Sequence, residues 1–101
     1  MTQQKTIKDR NDEIRKSGDF GPETRNPLLV TPGVMALGED AIAALFAEIM
    51  TYDRFDEGDD PENMHDFGTL KSGDTDVWFK IDLSPEHADL RIFTLLLPSE
   101  Y

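Results

Sequence analysis

A chain of 101 residues is long enough for one hydrophobic core, and its length predicts a single domain over residues 1–101. With 38% hydrophobic and 31% charged residues the composition is globular, and no apolar run approaches the roughly 20 residues that a membrane span needs. The absence of cysteine excludes a disulfide framework and thiolate chemistry, and the net charge of −11 opposes direct binding to nucleic acid or anionic lipid.

The first five residues carry no apolar signal core, so a cytoplasmic protein is expected, with residues 1–4 frayed. Thr6 to Lys16 reads as a polar helix with Ile7 and Ile14 on one face, ended by Gly18. Its apolar stripe is thin, so it must rely on the rest of the domain. Residues 17–27, rich in Gly and Pro, read as loop. Leu28 to Thr31 is a short strand, with Pro32 and Gly33 as its closing turn.

Glu39 to Tyr52 carries the clearest helical signal. Ile42, Leu45, Phe46, Ile49 and Met50 recur at the spacing of a core-facing stripe, and Glu39 and Asp40 suit the positive end of the helix dipole. Three strands follow: His65–Lys71, Thr75–Asp82 and Ala88–Leu97. In the second, Val77, Phe79 and Ile81 alternate with Trp78 and Lys80. The third is apolar on both faces and is expected to be central and covered. Ser84 and Pro85 allow at most one helical turn. The expected fold class is α+β, with two helices packed on an antiparallel sheet of three to four strands in the order αβαβββ.

These segments form a recognisable series. Leu29-Val30-Thr31-Pro32-Gly33-Val34 is followed by His65-Asp66-Phe67-Gly68, then by Trp78-Phe79-Lys80-Ile81-Asp82. Arg91-Ile92-Phe93-Thr94-Leu95-Leu96-Leu97 and Glu100-Tyr101 complete it. The series resembles a bacterial family of small proteins of unknown function, frequent on plasmids and phage-like elements. Asn63-Met64 departs from the Gly-Glu pair usual there, and Leu83-Ser84 replaces an aromatic pair. The resemblance implies a mobile-element origin and carries over no catalytic residue.

Charge is unevenly placed. Residues 1–50 hold eight acids and six bases, whereas residues 51–101 hold thirteen acids and four bases. Seven of the acids fall between Asp53 and Asp66. An EF-hand frame with Gly58 at its sixth position puts Phe55 and Met64 where oxygen ligands belong, so that frame fails. Asp56, Asp59, Asp60 and Glu62 leave a different cation site conceivable, but solvation alone explains such a run more often. Fully extended, the fourteen residues span at most about 46 Å, over which duplex DNA carries on the order of 27 phosphates. Seven carboxylates are too few to imitate it unaided.

His65 and Asp66 are candidates for water activation, although a histidine at a strand entry more often satisfies a backbone group. Lys80 and Asp82 stand in the wrong order for a metal-dependent nuclease. Trp78 is either an exposed anchor or a cover for the sheet's second face against the first helix.

The preferred expectation is a non-enzymatic binding protein without cofactor or metal. Asp56, Glu57, Asp59, Asp60, Glu62 and Trp78 would engage a basic protein surface, such as that of a nucleic-acid-binding protein. The alternatives are a metal-dependent enzyme using His65, Asp66 and the acidic run, and a structural or regulatory homodimer joined through a sheet edge.

Overall fold

The computed structural model describes residues 6–55 and 64–101. Helix α1 (Ile7–Ser17) begins where the Thr6 hydroxyl accepts the Asp9 N–H and ends at Gly18, whose positive φ permits a left-handed cap. Strand β1 (Leu28–Val30) follows, then a single-turn helix α2 (Pro32–Met35) and helix α3 (Glu39–Thr51). Strands β2 (Phe67–Ser72), β3 (Thr75–Leu83) and β4 (Arg91–Leu96) and a 3-10 turn over Pro98–Glu100 complete the order. The fold is α+β, as expected.

The sheet order is β1-β4-β3-β2. It is mixed, not wholly antiparallel: β1 pairs with β4 in parallel, with Leu28 opposite Phe93 and Val30 opposite Leu95. The polarity follows from the helices. α2 and α3 carry the chain back to the end of the sheet where β1 began, so β2 sets out in the same direction as β1. Two antiparallel steps later β4 again points that way. Pro32 and Gly33 do not form the expected turn but open α2, where Pro needs no N–H partner. No helix forms at Ser84, whose hydroxyl accepts the Glu86 N–H within a bend.

One sheet face is covered. Val77, Phe79, Ile81, Phe93 and Leu95 point at Leu45 and Ile49 of α3, Ile14 of α1 and Val34 of α2. Phe20 enters this core from the loop after α1, its ring stacked between Phe46 and Phe93 at 4.3 and 4.2 Å. Met50 packs against the same core, as its place on the α3 stripe predicts. Gly68 lies directly across from Phe79, whose ring closes over it together with that of Tyr52.

Helix α1 is held by polar groups as much as apolar ones, since Asn11 and Arg15 are buried beside Ile14 while Ile7 is exposed. The free edge of β2 is blocked at its centre: Thr69 donates its N–H to the Tyr52 hydroxyl and accepts from the Arg54 guanidinium. Extension of the sheet through β2 would have to displace both side chains. Among the described residues no helix is long and apolar enough to cross a membrane.

Substitution Gly68→Ala is expected to destabilise the fold by about 1–3 kcal/mol, because the added methyl would overlap the Phe79 and Tyr52 rings. Urea unfolding should show a lower midpoint with an unchanged slope.

Candidate functional site

Among the described residues no α-helix packs on the second face of the sheet, which is only partly covered. Cross-strand register places Phe67, Trp78, Lys80 and Asp82 on it, with Thr94 and Leu96 from β4 beside them. Trp78 is half-buried, and α1 does not cover it: α1 packs on α3, on the opposite side. The covering groups are aromatic. Phe67, diagonal to Trp78 across the β2–β3 pair, meets it edge to face with ring centroids 5.3 Å apart. Tyr101 approaches both, at 5.7 Å from Trp78 and 6.5 Å from Phe67, with the three rings nearly perpendicular to one another. Tyr101 is itself 79% exposed. Leu96, directly opposite Trp78, is buried, whereas Ile92 and Thr94 are only half-buried. β4 is therefore central as expected, but its second face is incompletely covered.

A latch sets the place of Tyr101. The Glu100 carboxylate accepts hydrogen bonds from the Thr31 hydroxyl at 2.6 Å and from the backbone N–H groups of Leu97 and Gly33 at 2.8 and 3.0 Å. These bonds, led by the Thr31 hydroxyl, hold its pKa below the ordinary value of 4.5. Beside the rings, Lys80 Nζ lies 3.5 Å from Asp82 Oδ2, with both side chains exposed. The rings, Lys80, Asp82 and Asp66 bound an open hollow of about 380 Å³.

A second constellation lies on the helical side. His65 Nδ1 is 3.0 Å from both carboxylate oxygens of Asp12. The His65 ring stacks on Phe55 at 4.1 Å, nearly parallel, and the guanidinium of Arg15 lies 5.2 Å from the Phe55 centroid. Asn11 Nδ2 donates to the Met64 carbonyl. Burial alone would raise the Asp12 pKa, but the hydrogen bonds and charges of His65 and Arg15 together hold it below 3.8. His65 also has a positive φ, unusual for a side chain of this size, and these contacts keep it there.

Of the residues singled out by sequence, Asp56, Glu57, Asp59, Asp60 and Glu62 lie outside the described residues. The ends of the acidic run are described. Asp66 lines the hollow beside Trp78, and Asp53 borders the hollow at Phe55 and His65. The adjacent pair His65–Asp66 is split, since His65 turns toward α1 while Asp66 borders the aromatic cluster. Among the described residues no three metal-ligating side chains come together. Sequence reasoning missed Phe67, Tyr101, Asp12 and Glu100. The alternation of β2 could have placed Phe67 with Trp78, but nothing local ties Asp12 or Glu100 to its partner.

The family model for proteins of unknown function named DUF3768 matches residues 30–100. The chain belongs to this family. The matched region contains Phe67, Trp78, Lys80 and Asp82 and begins after α1. No curated protein and no solved structure shows significant similarity to the chain. A family of unknown function contributes no mechanism.

Because the pKa values of Asp12 and Glu100 are both lowered, their contribution to stability is fully present above about pH 4.5 and is lost as pH falls through the folded-state values. Substitution Asp12→Asn should therefore destabilise the protein at neutral pH, with the difference from the parent chain shrinking below pH 3.8. Denaturant unfolding at several pH values checks this.

Proposed function

We propose that this chain is a small, acidic, non-enzymatic binding protein that docks a basic surface of another protein on its open sheet face, with Trp78 as the anchor. The observation that carries the proposal is the aromatic cluster of half-buried Phe67 and Trp78 and exposed Tyr101, bordered by Asp66 and Asp82. Aromatic side chains dominate binding hot spots, because they bury large area with few rotors. The charge supports the same reading, since thirteen acids against four bases in the second half favour a basic partner and speed the encounter. The acidic run ends at the cluster in Asp66, so Asp56, Glu57, Asp59, Asp60 and Glu62 belong to the same stretch of chain as the anchor's border.

In its most specific form the partner is a host protein that handles nucleic acid in defence, and this chain competes with DNA or RNA for its basic groove. An inhibitor of the anti-CRISPR or anti-restriction type fits the resemblance to proteins of plasmids and phage-like elements. The acidic surface would then occupy a site built for phosphates.

The test is capture of partners from host lysate at low and high salt, with the parent chain, a variant neutralising the five acids, and Trp78→Ala. Retained partners should be nucleic-acid-binding proteins released by salt. The Trp78 variant should lose about 2 kcal/mol of binding, roughly 30-fold in Kd. Partners held equally by all three proteins at both salts would sink the proposal.

A further inference from the structure

We infer that the hollow between Phe67, Trp78 and Tyr101 receives an arginine side chain of the partner, with Asp82 as its acceptor and Lys80 as the resident cation it displaces. The inference rests on the docking role proposed for this face and names the chemical group that docks there.

The geometry of the rings is the first reason. The three rings meet edge to face, with centroids 5.3, 5.7 and 6.5 Å apart and interplanar angles of 68°, 73° and 89°, and all three line the hollow. A ring face attracts a cation through its quadrupole. The chain places cations over rings elsewhere, Arg15 over Phe55 and Arg54 over Tyr52, but among the described residues none over this cluster.

The polar border supplies the second reason. Lys80 stands on β3 between Trp78 and Asp82 and directly across from Phe67. Its ammonium reaches Asp82 at 3.5 Å, with the two side chains 40% and 55% exposed. An exposed pair of that length contributes little and exchanges readily. An incoming guanidinium improves on it, because it can stack its plane on an aromatic face and offer a two-pronged donor to Asp82. Lysine offers only a compact, strongly hydrated charge. An apolar side chain would gain nothing from Asp82, and an anion would be repelled by it.

Trp78 is the only tryptophan, so its indole resonance reports on this hollow. The probes are acetyl-Gly-Arg-Gly-amide, its lysine counterpart and its neutral citrulline counterpart, titrated against the full chain by NMR. The arginine peptide should shift the Trp78 indole saturably, the lysine peptide more weakly, and the citrulline peptide not at all. Lys80→Met should tighten arginine binding about threefold by freeing Asp82, while Asp82→Asn and the exposed Tyr101→Ala should each weaken it by about threefold or more. Equal shifts from citrulline and arginine, weaker binding by Lys80→Met, or shifts spread over the acidic surface without saturation at Trp78 would overturn the assignment. The docking role is judged apart from these, by whether Trp78→Ala loses the captured partner.

Discussion

The buried guanidinium of Arg15 is the interaction on which the rest of this arrangement depends. Its Nη1 donates to the carbonyls of Ile49, Met50 and Tyr52, at 2.9, 3.3 and 2.7 Å, and so closes the carboxyl end of α3. That end carries the negative pole of the helix dipole and the carbonyls without partners within the helix, so a cation there is favoured twice. Nη2 bonds Asp12 at 3.1 Å, while Nε is buried without a partner. A charge taken out of water needs this many acceptors to be tolerated. The result is a helix with few large apolar residues fixed firmly on another.

Fixing α1 on α3 has two consequences. It sets Asp12 and Asn11 where they hold His65 and Met64, the residues that lead from the acidic segment into β2. Phe55, on the other side of that segment, stacks on His65, so the two flanks of the acidic stretch are brought together. It also puts α1 on the face of the sheet that α2 and α3 cover. The opposite face, with Trp78, is left to side chains of the sheet and to Tyr101.

Arg91 reinforces the same framework from the other end of the chain. It is 3% exposed, donates to Asn11 Oδ1 and to the carbonyls of Ala88 and Leu90, and its pKa is lowered by burial and by the charge of Arg10. Asn26 accepts the Arg91 N–H and donates to the Asp19 carbonyl, tying the loop after α1 to the start of β4. Buried polar groups thus join elements that are distant in sequence, and each has specific partners. Glu100 does the same at the surface, holding the last residues against the start of α2.

The sequence by itself determined what depends on neighbours a few positions apart. The α3 stripe of Leu45 and Ile49, the alternation of Val77, Phe79 and Ile81, the Gly18 stop and the acidic excess all follow from local period and composition. It also showed that Trp78 points away from the core residues of its strand. The alternation of β2 points to Phe67 as one neighbour of Trp78, but only the tertiary structure decided the rest, because that depends on the Glu100 latch for Tyr101 and the side of the sheet α1 takes. The parallel direction of β1 and the pairing of Asp12 with His65 belong to the same class. The Glu100 latch, the β1 pairing and the Asp12–His65 contact join residues dozens of positions apart, and no pattern of period two or 3.6 carries information over that distance.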